Sequence, residues 1–579
     1  RAGGGGGGPL LLPGVQLLDA SGREYPFDTY EVLLDRRGFP SPLRSETPLP
    51  VTVHGVAVHL VGWMRDKVYK EDLDRRPVRR VEPGTGVVID RGGYMPTDSV
   101  GHWGIEASGE DDLRGQRGQS LEHLDTGEVE IEPSVAGKDV TLTIDARLQA
   151  RVQALFSREA GLTVVHPWQK NHAASDGEHL SAAAVVIDIA SGDILAMVST
   201  PTFTREDLAT NPGSVFSDTA RLPLLNRAVA RPYPPGSIVK PLMYVSACAM
   251  GLWQAGQVVD CTGHLYPHEP GKLRCWIFKA PFNTTHTAQL GHVLNASDAL
   301  MVSCNIYYYT IGRTLGPERI LDVYKAWGVG KDALHPRLGL GDYFAGVAGP
   351  PVRTPPREAA ELSGSAEADD AEGRPLPDAG QEAAATAPPP RPRVDLGEAT
   401  LMGIGQGPIA WTPLHAADAY ATLARGGKRI VPRIRADEPV VTDDLRLPPQ
   451  AVAMALDGLW RAANETLGTG HHITVGSELG GTGEQETIFN CPGTRVWGKS
   501  GTADSGLKAR DSVGNIRREV DGRAVSIDHS WFVILTAPEG QSPRYAVALV
   551  VENGGSGGRV AGPLCNQIVW ALKAQGYLE

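Results

Sequence analysis

The feature that most constrains this chain is a set of apolar strand patterns divided between two distant parts of the sequence. Residues 182–188 and 193–198 are apolar runs joined by the turn formers Ala190-Ser191-Gly192, which predicts a hairpin. Helical patterns follow through about residue 328. Three further strand patterns lie near the C-terminus, at residues 495–503, 529–537 and 544–552, and a helix carrying Leu564 and Ile568 ends the chain. This order predicts an α+β fold in which an antiparallel sheet, built from both halves of the chain, is flanked by helices.

A change of pattern near residue 136 predicts a domain boundary. Residues 140–145 alternate like a strand, and residues 146–156 carry apolar side chains at helical spacing. Residues 14–135 instead mix short alternating runs, such as residues 51–60, with Gly, Pro and charge clusters. We therefore predict a β-rich N-terminal domain over residues 14–135, which we call the pedestal domain, and a second domain over residues 136–579.

Two segments contain few large apolar side chains and are expected to be disordered. Residues 1–13 are Gly-rich, and residues 346–394 consist largely of Pro, Ala and acidic residues. The chain starts with Arg1 rather than Met, so we expect an upstream membrane anchor or signal to be missing.

Composition excludes some functions. A net charge of −12 argues against nucleic-acid binding, which requires a basic surface. No run of about 18 uncharged apolar residues is present, so no transmembrane helix is predicted. Six cysteines are too few for a disulfide scaffold in a chain of 579 residues.

The sharpest chemical signal is the segment around Ser237. Pro235-Gly236 forms a turn, and Pro241 is tolerated only in the first turn of a helix, so the helix begins close to Ser237. Lys240, three residues on, lies on the same helical face and can serve as the base of a Ser-Lys nucleophile. Surface helices often show this spacing without any catalytic role, so the pair needs companions.

Two further segments supply those companions. Ser303-Cys304-Asn305 offers a hydroxyl that can relay a proton and an amide that can hold a carbonyl, although such tripeptides also cap ordinary helices. Lys499-Ser500-Gly501-Thr502 lies on a predicted edge strand whose small residues let a peptide backbone approach, although it could also be an exposed turn. Ser-x-x-Lys, Ser-x-Asn and Lys-Thr-Gly in this order are the motifs of penicillin-binding proteins and class A β-lactamases.

Further segments make the chain resemble a class B penicillin-binding protein from about residue 100 to its end. They are Gly104-Ile105-Glu106, Leu113-Arg114-Gly115, Leu142–Asp145, Ser191–Met197, Asn226-Arg227-Ala228, Gly405-Gln406-Gly407 and Thr412-Pro413-Leu414. The aromatic run after Asn305, together with Cys261 and Cys275-Trp276, is more similar to elongation-type than to septal enzymes. The chain departs from the pattern at Gly291-His292, where the family often has His-Gly, at Asn305, where elongation enzymes often have Asp, and at Ser500, where the third motif usually has Thr.

The resemblance implies a serine D,D-transpeptidase that cross-links peptidoglycan. Ser237 would be the nucleophile, Lys240 its base and Ser303 a proton relay, while Asn305 would bind the peptide. Lys499 and Thr502 would hold the terminal carboxylate, beside Ser500 and Gly501 on the substrate strand. The N–H groups of Ser237 and Thr502 would form the oxyanion hole, which makes Thr502 also catalytic. No cofactor is implied.

The resemblance also implies ligands, a partner and a location. The substrates would be stem peptides ending in D-Ala-D-Ala, and β-lactams would acylate the same serine. A membrane glycosyltransferase of the elongation machinery would be the partner, and the catalytic domain would face the periplasm or cell exterior. Alternatives are a β-lactam sensor, a non-catalytic wall scaffold, a D,D-carboxypeptidase or a β-lactamase.

The role of one group of metal-ligand residue types is not decided by the sequence. Five such residues lie close together in sequence: Asp260, Cys261, His264, His268 and Cys275. Their order does not match a structural zinc pattern, so no metal is predicted. A polar loop beside the active site, or a disulfide between Cys261 and Cys275 if the compartment is oxidising, is the simpler explanation, and metal binding is the alternative.

Overall fold

The structure of the chain is a computed structural model. It describes residues 15–18, 23–164, 166–169, 180–278, 283–331, 338–340, 343–349, 394–475, 483–510, 514–518 and 524–579. The Gly-rich start at residues 1–13, and all of the 346–394 insertion except residues 346–349 and 394, lie outside these residues. No helix of the described part is long and apolar enough to cross a membrane.

The N-terminal region consists of short elements. Its strands are β1 (Val15–Leu18), β2 (Thr29–Leu34), β3 (Leu49–His54), β4 (Met64–Arg65), β5 (Arg79–Glu82), β6 (Gly86–Ile89), β7 (Val100–Gly101), β8 (Gly118–Glu122) and β9 (Val129–Glu132). Its helices are α1 (Val58–Val61), α2 (Lys70–Arg75), α3 (Gly104–Ser108) and α4 (Glu110–Leu113). The strands pair antiparallel as β1-β8-β9, β2-β3, β4-β7 and β5-β6.

The rest of the chain contains longer elements. The helices are α5 (Ala146–Ala154), α6 (Arg205–Thr210), α7 (Pro212–Phe216), α8 (Lys240–Ala249), α9 (His286–Leu290), α10 (Ala296–Met301), α11 (Asn305–Ala326), α12 (Leu396–Met402), α13 (Pro413–Ala424), α14 (Pro449–Asn464) and α15 (Ala561–Ala574). The strands are β10 (Ala182–Asp188), β11 (Ile194–Thr200), β12 (Val347–Ala348), β13 (Ile409–Ala410), β14 (Lys428–Ile430), β15 (Thr442–Asp444), β16 (His472–Val475), β17 (Glu484–Thr487), β18 (Thr494–Lys508), β19 (Ser526–Pro538) and β20 (Tyr545–Val551).

Five of these strands form the central sheet. Their order is β11-β10-β20-β19-β18, and every neighbouring pair is antiparallel. The predicted hairpin and the three C-terminal strands are therefore confirmed, as is the closure of the sheet from both chain halves. Strand β18 lies at one edge.

Helices cover the sheet on both faces. Strands β11 and β20 are buried at every residue, which an apolar strand reaches only when both of its faces are covered. Helix α13 packs against β10, β19 and β20, while α15 contacts β18, β19 and β20 and α5 contacts β11. The α+β prediction is confirmed.

The predicted strand at residues 140–145 is wrong. Leu142 forms only an isolated bridge, with Arg435, and Thr143 Oγ1 donates to the carbonyl of Ile194 at 2.7 Å. Asp145 is the N-cap of α5 and accepts hydrogen bonds from the amides of Arg147 and Leu148. The segment thus ends in the N-cap of α5. Its alternating side chains make isolated contacts beside β11 instead of forming a strand.

Part of the N-terminal region packs against the catalytic core. The Nε2 of Gln153 on α5 donates to the carbonyl of His54 at 2.8 Å, and the Nδ2 of Asn566 on α15 donates to Gly38 at 2.9 Å. Buried Val32 and Leu34 of β2 belong to the same hydrophobic cluster as the central sheet. A domain boundary near residue 136 stays a prediction. Strands β2 and β3 of the pedestal pack against α5, and the connection between them contacts α15 through Gly38.

The turn after β20 generates a stability prediction. A Cβ atom at Gly557 would lie 2.3 Å from the carbonyl oxygens of Gly501 and Trp531. Gly557→Ala should therefore lower the free energy of unfolding by about 1–3 kcal/mol, because backbone has to move. Gly271→Ala is the control, since nothing lies within 4 Å of the added methyl group. Equal melting temperatures of the two variants would contradict this packing.

Candidate active site

The segment of Ser237 is a helix start, as predicted. A 3₁₀ turn, Gly236–Val239, leads directly into α8, with Pro241 in the first turn. Three contacts hold this turn: the amide of Gly236 donates to Gly405 O at 2.8 Å, Tyr420 Oη donates to Ile238 O at 2.8 Å, and Trp531 Nε1 donates to Pro234 O at 3.1 Å. Ser237 keeps partial exposure, whereas Lys240 is completely buried.

The second motif lies in the connection between α10 and α11. Ser303 has φ 53°, a left-handed conformation that costs free energy for a residue with a Cβ and that clusters at functional sites. Lys240 Nζ donates to Ser303 O at 2.9 Å, to Ser303 Oγ at 3.1 Å and to Asn305 Oδ1 at 2.8 Å. The amine of the first motif is therefore held by the second.

The third motif lies on β18, at the edge of the sheet. Lys499 is completely buried, and its Nζ donates to Ser303 Oγ at 2.9 Å and to Ser500 O at 2.7 Å. Side chains alternate along a strand, so Ser500 and Thr502 share the opposite face. Ser500 is half-buried and Thr502 is exposed. A Cβ at Gly501 would lie 2.8 Å from Ile238 Cγ2, which shows how closely β18 approaches the turn of Ser237.

Two buried amines thus share one hydroxyl oxygen. Burial lowers the pKa of Lys240 from 10.5 to about 8. Burial, reinforced by repulsion from Lys240, holds the pKa of Lys499 well below its usual range. Near neutral pH the site can therefore contain a neutral amine, which is the form that can accept a proton.

The structure brings most of the predicted residues together. Lys240, Ser303, Asn305 and Lys499 form one hydrogen-bonded group. Ser237 lies one turn before Lys240, and Ser500, Gly501 and Thr502 follow Lys499 on the strand.

Two contacts at the strand were not predicted. Gln406 Nε2 donates to Thr502 O at 3.3 Å, and Ser500 Oγ donates to Thr469 Oγ1 at 3.0 Å. The Gly405-Gln406-Gly407 segment carried part of the family resemblance, and no role at the strand was predicted for Gln406. Thr469 carries no motif that could have revealed its role.

A group of metal-ligand side chains lies directly behind Ser303. The group consists of Cys261, Cys275, His286 and Cys304. Cys261 and Cys275 belong to the five ligand-type residues noted in the sequence, whereas Asp260, His264 and His268 of that set lie outside the group. We call these four residues the thiol cluster. Their ligand atoms lie within 4.8 Å of one another and all four residues are buried. All six cysteines of the chain are free thiols, so the Cys261–Cys275 disulfide is not formed.

The thiol cluster fits a transition metal better than a disulfide or a polar loop. Three thiolates and one imidazole match the ligand set of tetrahedral structural zinc. His286 Nδ1 lies 3.3 Å from Cys275 Sγ and 3.6 Å from Cys261 Sγ, and its buried Nε2 has no hydrogen-bond partner among the described residues. Sequence reasoning missed His286 and Cys304 because they come from α9 and the Ser303 segment, far from Cys261 along the chain.

Comparison with known proteins agrees with this geometry. Residues 182–569 match the family model described as the penicillin binding protein transpeptidase domain. The chain is 26% identical over 536 residues to the peptidoglycan D,D-transpeptidase MrdA of Haemophilus influenzae, covering 88% of this chain and 67% of that protein.

Solved structures share the fold. A structure of Pseudomonas aeruginosa PBP2 in complex with WCK 5153 is similar with a TM-score of 0.60 and 22% identity, covering 92% of both chains. A complex between PBP2 and MreC from Helicobacter pylori is similar with a TM-score of 0.59 and 20% identity, covering 92% of this chain and 80% of that one.

The shared hydroxyl generates a prediction. Ser303→Ala should slow active-site acylation by about 100- to 10,000-fold, the usual range for loss of a proton-transfer group, while the protein still folds. Folding should survive because Lys240 keeps Asn305 Oδ1 and Lys499 keeps Ser500 O as acceptors. Ser246→Ala is the control, since that buried hydroxyl on α8 accepts from Trp327 Nε1 and takes part in none of the described hydrogen bonds of Lys240 and Lys499. Equal acylation rates of the two variants would refute the relay.

Proposed function

This chain belongs to the penicillin-binding protein transpeptidase family, and from that membership we propose that Ser237 carries an acyl-enzyme intermediate formed with the help of Lys240 and Ser303. The reaction class follows from the family and its named relatives: the protein is a class B penicillin-binding protein, a peptidoglycan D,D-transpeptidase of the elongation type. The observation that carries the residue roles is the convergence of Lys240 and Lys499 on Ser303 Oγ.

The first half-reaction attacks the D-Ala-D-Ala bond of a stem peptide. Ser237 Oγ gives up its proton and bonds to the carbonyl carbon, the peptide bond breaks, and D-alanine leaves with a proton. Lys240 is the base for the first proton, because burial has brought its pKa to about 8. Ser303 Oγ, hydrogen-bonded to both lysines, can pass a proton towards the leaving amine.

The second half-reaction transfers the acyl group to an amine of a neighbouring strand. The amine attacks the ester at Ser237, and the serine recovers its proton through the same group. The oxyanion hole is formed by the N–H groups of Ser237 and Thr502. The positions of these residues support this role, because the carbonyl of Thr502 would lie 2.6 Å from a Cβ at Gly236, so the two segments are in contact.

Strand β18 binds the substrate. Its outer edge is unpaired in the five-stranded sheet, so an extended peptide can add there by main-chain hydrogen bonds. Thr502 is exposed on the open face, and Gly501 lets the backbone approach the turn of Ser237. The terminal carboxylate binds Thr502 on the exposed face of the strand, and its negative charge favours the protonated form of Lys499, whose buried side chain lies on the opposite face. Asn305 Oδ1 accepts a hydrogen bond from Lys240 Nζ and so orients that amine. The side-chain amide of Asn305 also binds the peptide.

We also propose a partner and a cellular location for this chain. A complex between PBP2 and MreC is known from Helicobacter pylori, and the relative from Haemophilus influenzae is named a peptidoglycan D,D-transpeptidase. We place this chain beside a membrane glycosyltransferase of the elongation machinery, with its catalytic domain facing the periplasm or cell exterior. Glycan polymerisation and cross-linking would then occur side by side.

Fluorescent penicillin tests the proposal. Wild-type protein should form one covalent adduct, mapped by mass spectrometry to Ser237, and the adduct should persist for many minutes, since rapid hydrolysis of the adduct is the property of a β-lactamase rather than of a transpeptidase. Ser237→Ala should lose the label. Ser214→Ala, which removes an exposed hydroxyl on α7, should keep it. Equal labelling of Ser237→Ala and wild type would exclude Ser237 as nucleophile, and rapid release of the label would favour a β-lactamase.

A further inference from the structure

The turn after α14 presents one side chain to the substrate strand. Gly468, Thr469 and Gly470 form this turn. A Cβ atom at Gly468 would lie 2.4 Å from the carbonyl oxygen of Ala462, and one at Gly470 would lie 2.6 Å from Phe532 Cζ. The turn is thus pressed between α14 and β19, and neither flanking position leaves room for a side chain. Thr469 is the residue of the turn that carries one.

Three contacts fix Thr469 between the second and third motifs. Its amide donates to Met301 O at 3.2 Å, at the end of α10 and two residues before Ser303. Its hydroxyl accepts a hydrogen bond from Ser500 Oγ at 3.0 Å. Its carbonyl oxygen would lie 2.7 Å from a Cβ atom at Gly558, in the turn after β20. The main chain of Thr469 is therefore held on both sides, and its hydroxyl stands next to Ser500.

The hydroxyl of Thr469 joins the face of β18 that carries Ser500 and Thr502. These two residues are two apart on the strand and share a face. Thr502 Oγ1 accepts a hydrogen bond from the amide of Gly557 at 3.4 Å, so the turn after β20 contacts both threonines. Thr469 and Ser500 are half-buried and Thr502 is exposed, so a ligand can reach this face. Three hydroxyl groups therefore line one wall of the cleft.

The pair formed by Thr469 and Ser500 keeps a proton to donate. Each hydroxyl has one O–H donor and can also accept. The hydrogen bond between the two side chains uses one of their two protons, so the pair can donate the other to a ligand. A carboxylate only accepts hydrogen bonds, and bonds to a charged acceptor are about twice as strong as bonds between neutral groups. The pair therefore suits an anionic terminus.

We propose that Thr469 is a specificity-determining residue of the transpeptidase, which binds the terminal carboxylate of the stem peptide together with Ser500 and Thr502. The inference rests on the proposed function, in which that carboxylate lies on this face of β18. Before binding, the hydroxyl of Thr469 orients Ser500. After binding, the pair donates both of its protons to the carboxylate.

Ser500 needs this partner because it is a serine. A β-branched threonine has a restricted χ1 angle, whereas the hydroxyl of a serine adopts several staggered rotamers. The third motif usually has Thr where this chain has Ser500. The hydrogen bond to Thr469 selects one rotamer of Ser500, which a second branch on Cβ would otherwise restrict. A Ser500→Thr variant should therefore depend less on Thr469.

Two penicillins separate carboxylate binding from packing, because benzylpenicillin carries a free carboxylate and its methyl ester does not. Thr469→Val removes the hydroxyl and should lower the second-order rate constant for acylation by benzylpenicillin about 10- to 100-fold. The rate constant for the ester should fall about 3- to 10-fold, because a bond to a neutral acceptor is about half as strong. Thr469→Ser should recover most of the loss. Thr474→Val, at an exposed threonine of β16, is the control and should match wild type with both compounds.

Variants of Ser500 test whether Thr469 acts through its partner. In a Ser500→Ala background, Thr469→Val should cost at least about threefold less in benzylpenicillin acylation than it costs in wild type, because the pair is already broken. In a Thr469→Val background, Ser500→Thr should raise the rate of benzylpenicillin acylation. Circular dichroism checks that each variant is folded, and Thr469→Ala repeats the measurement if the valine variant is not.

The remaining outcomes decide against the proposal. Equal losses with benzylpenicillin and its ester would show that Thr469 only supports packing, and an unchanged rate with benzylpenicillin would remove it from the site. Strictly additive losses in Ser500→Ala and Thr469→Val would exclude the pair, and this comparison decides alone if the ester reacts too slowly to measure. Wild-type protein that is not acylated at Ser237 would instead count against the proposed function, whereas acylated wild type with an equally fast Thr469→Val would leave that function intact.

Discussion

The burial of two lysine side chains around one serine hydroxyl is the constraint on which the active site depends. An exposed amine with a pKa near 10.5 is a poor base at neutral pH, because almost every molecule carries the extra proton. Lys240 and Lys499 are both completely buried and both donate to Ser303 Oγ. Burial costs free energy for the charged form, and the protein uses that cost to lower the pKa of the base.

The fold brings the two lysines and Ser303 together and encloses them. Lys240 comes from the start of α8, Ser303 from the connection between α10 and α11, and Lys499 from the edge strand β18. No local element could bring these side chains together. The sheet, which joins a hairpin to three strands from the end of the chain, and the helices on both of its faces provide the dry interior that the two amines share.

The sequence predicted those parts of the structure that rest on local patterns. Apolar runs of strand length predicted the five sheet strands, and Pro241 predicted the helix start at Ser237. The prediction of a strand at residues 140–145 was wrong. The alternating side chains of that segment make isolated contacts, and Asp145 caps a helix. The expectation that Lys499 holds the terminal carboxylate did not include its burial beside Lys240, which only the assembled fold reveals. The sequence did not predict that His286 and Cys304 join Cys261 and Cys275, because the fold assembles the thiol cluster from separate segments.

The pH dependence of acylation tests the central claim most directly. If neutral Lys240 is the base, the second-order rate constant for penicillin acylation must rise with pH and level off, with a midpoint near 8, because the amine loses its proton through that range. Stopped-flow fluorescence between about pH 6 and 9.5 gives this profile, and Lys240→Arg should lose the reaction throughout. A rate that is flat or falls with rising pH, or one still climbing without a midpoint at the highest pH, would contradict a base whose pKa is lowered by burial.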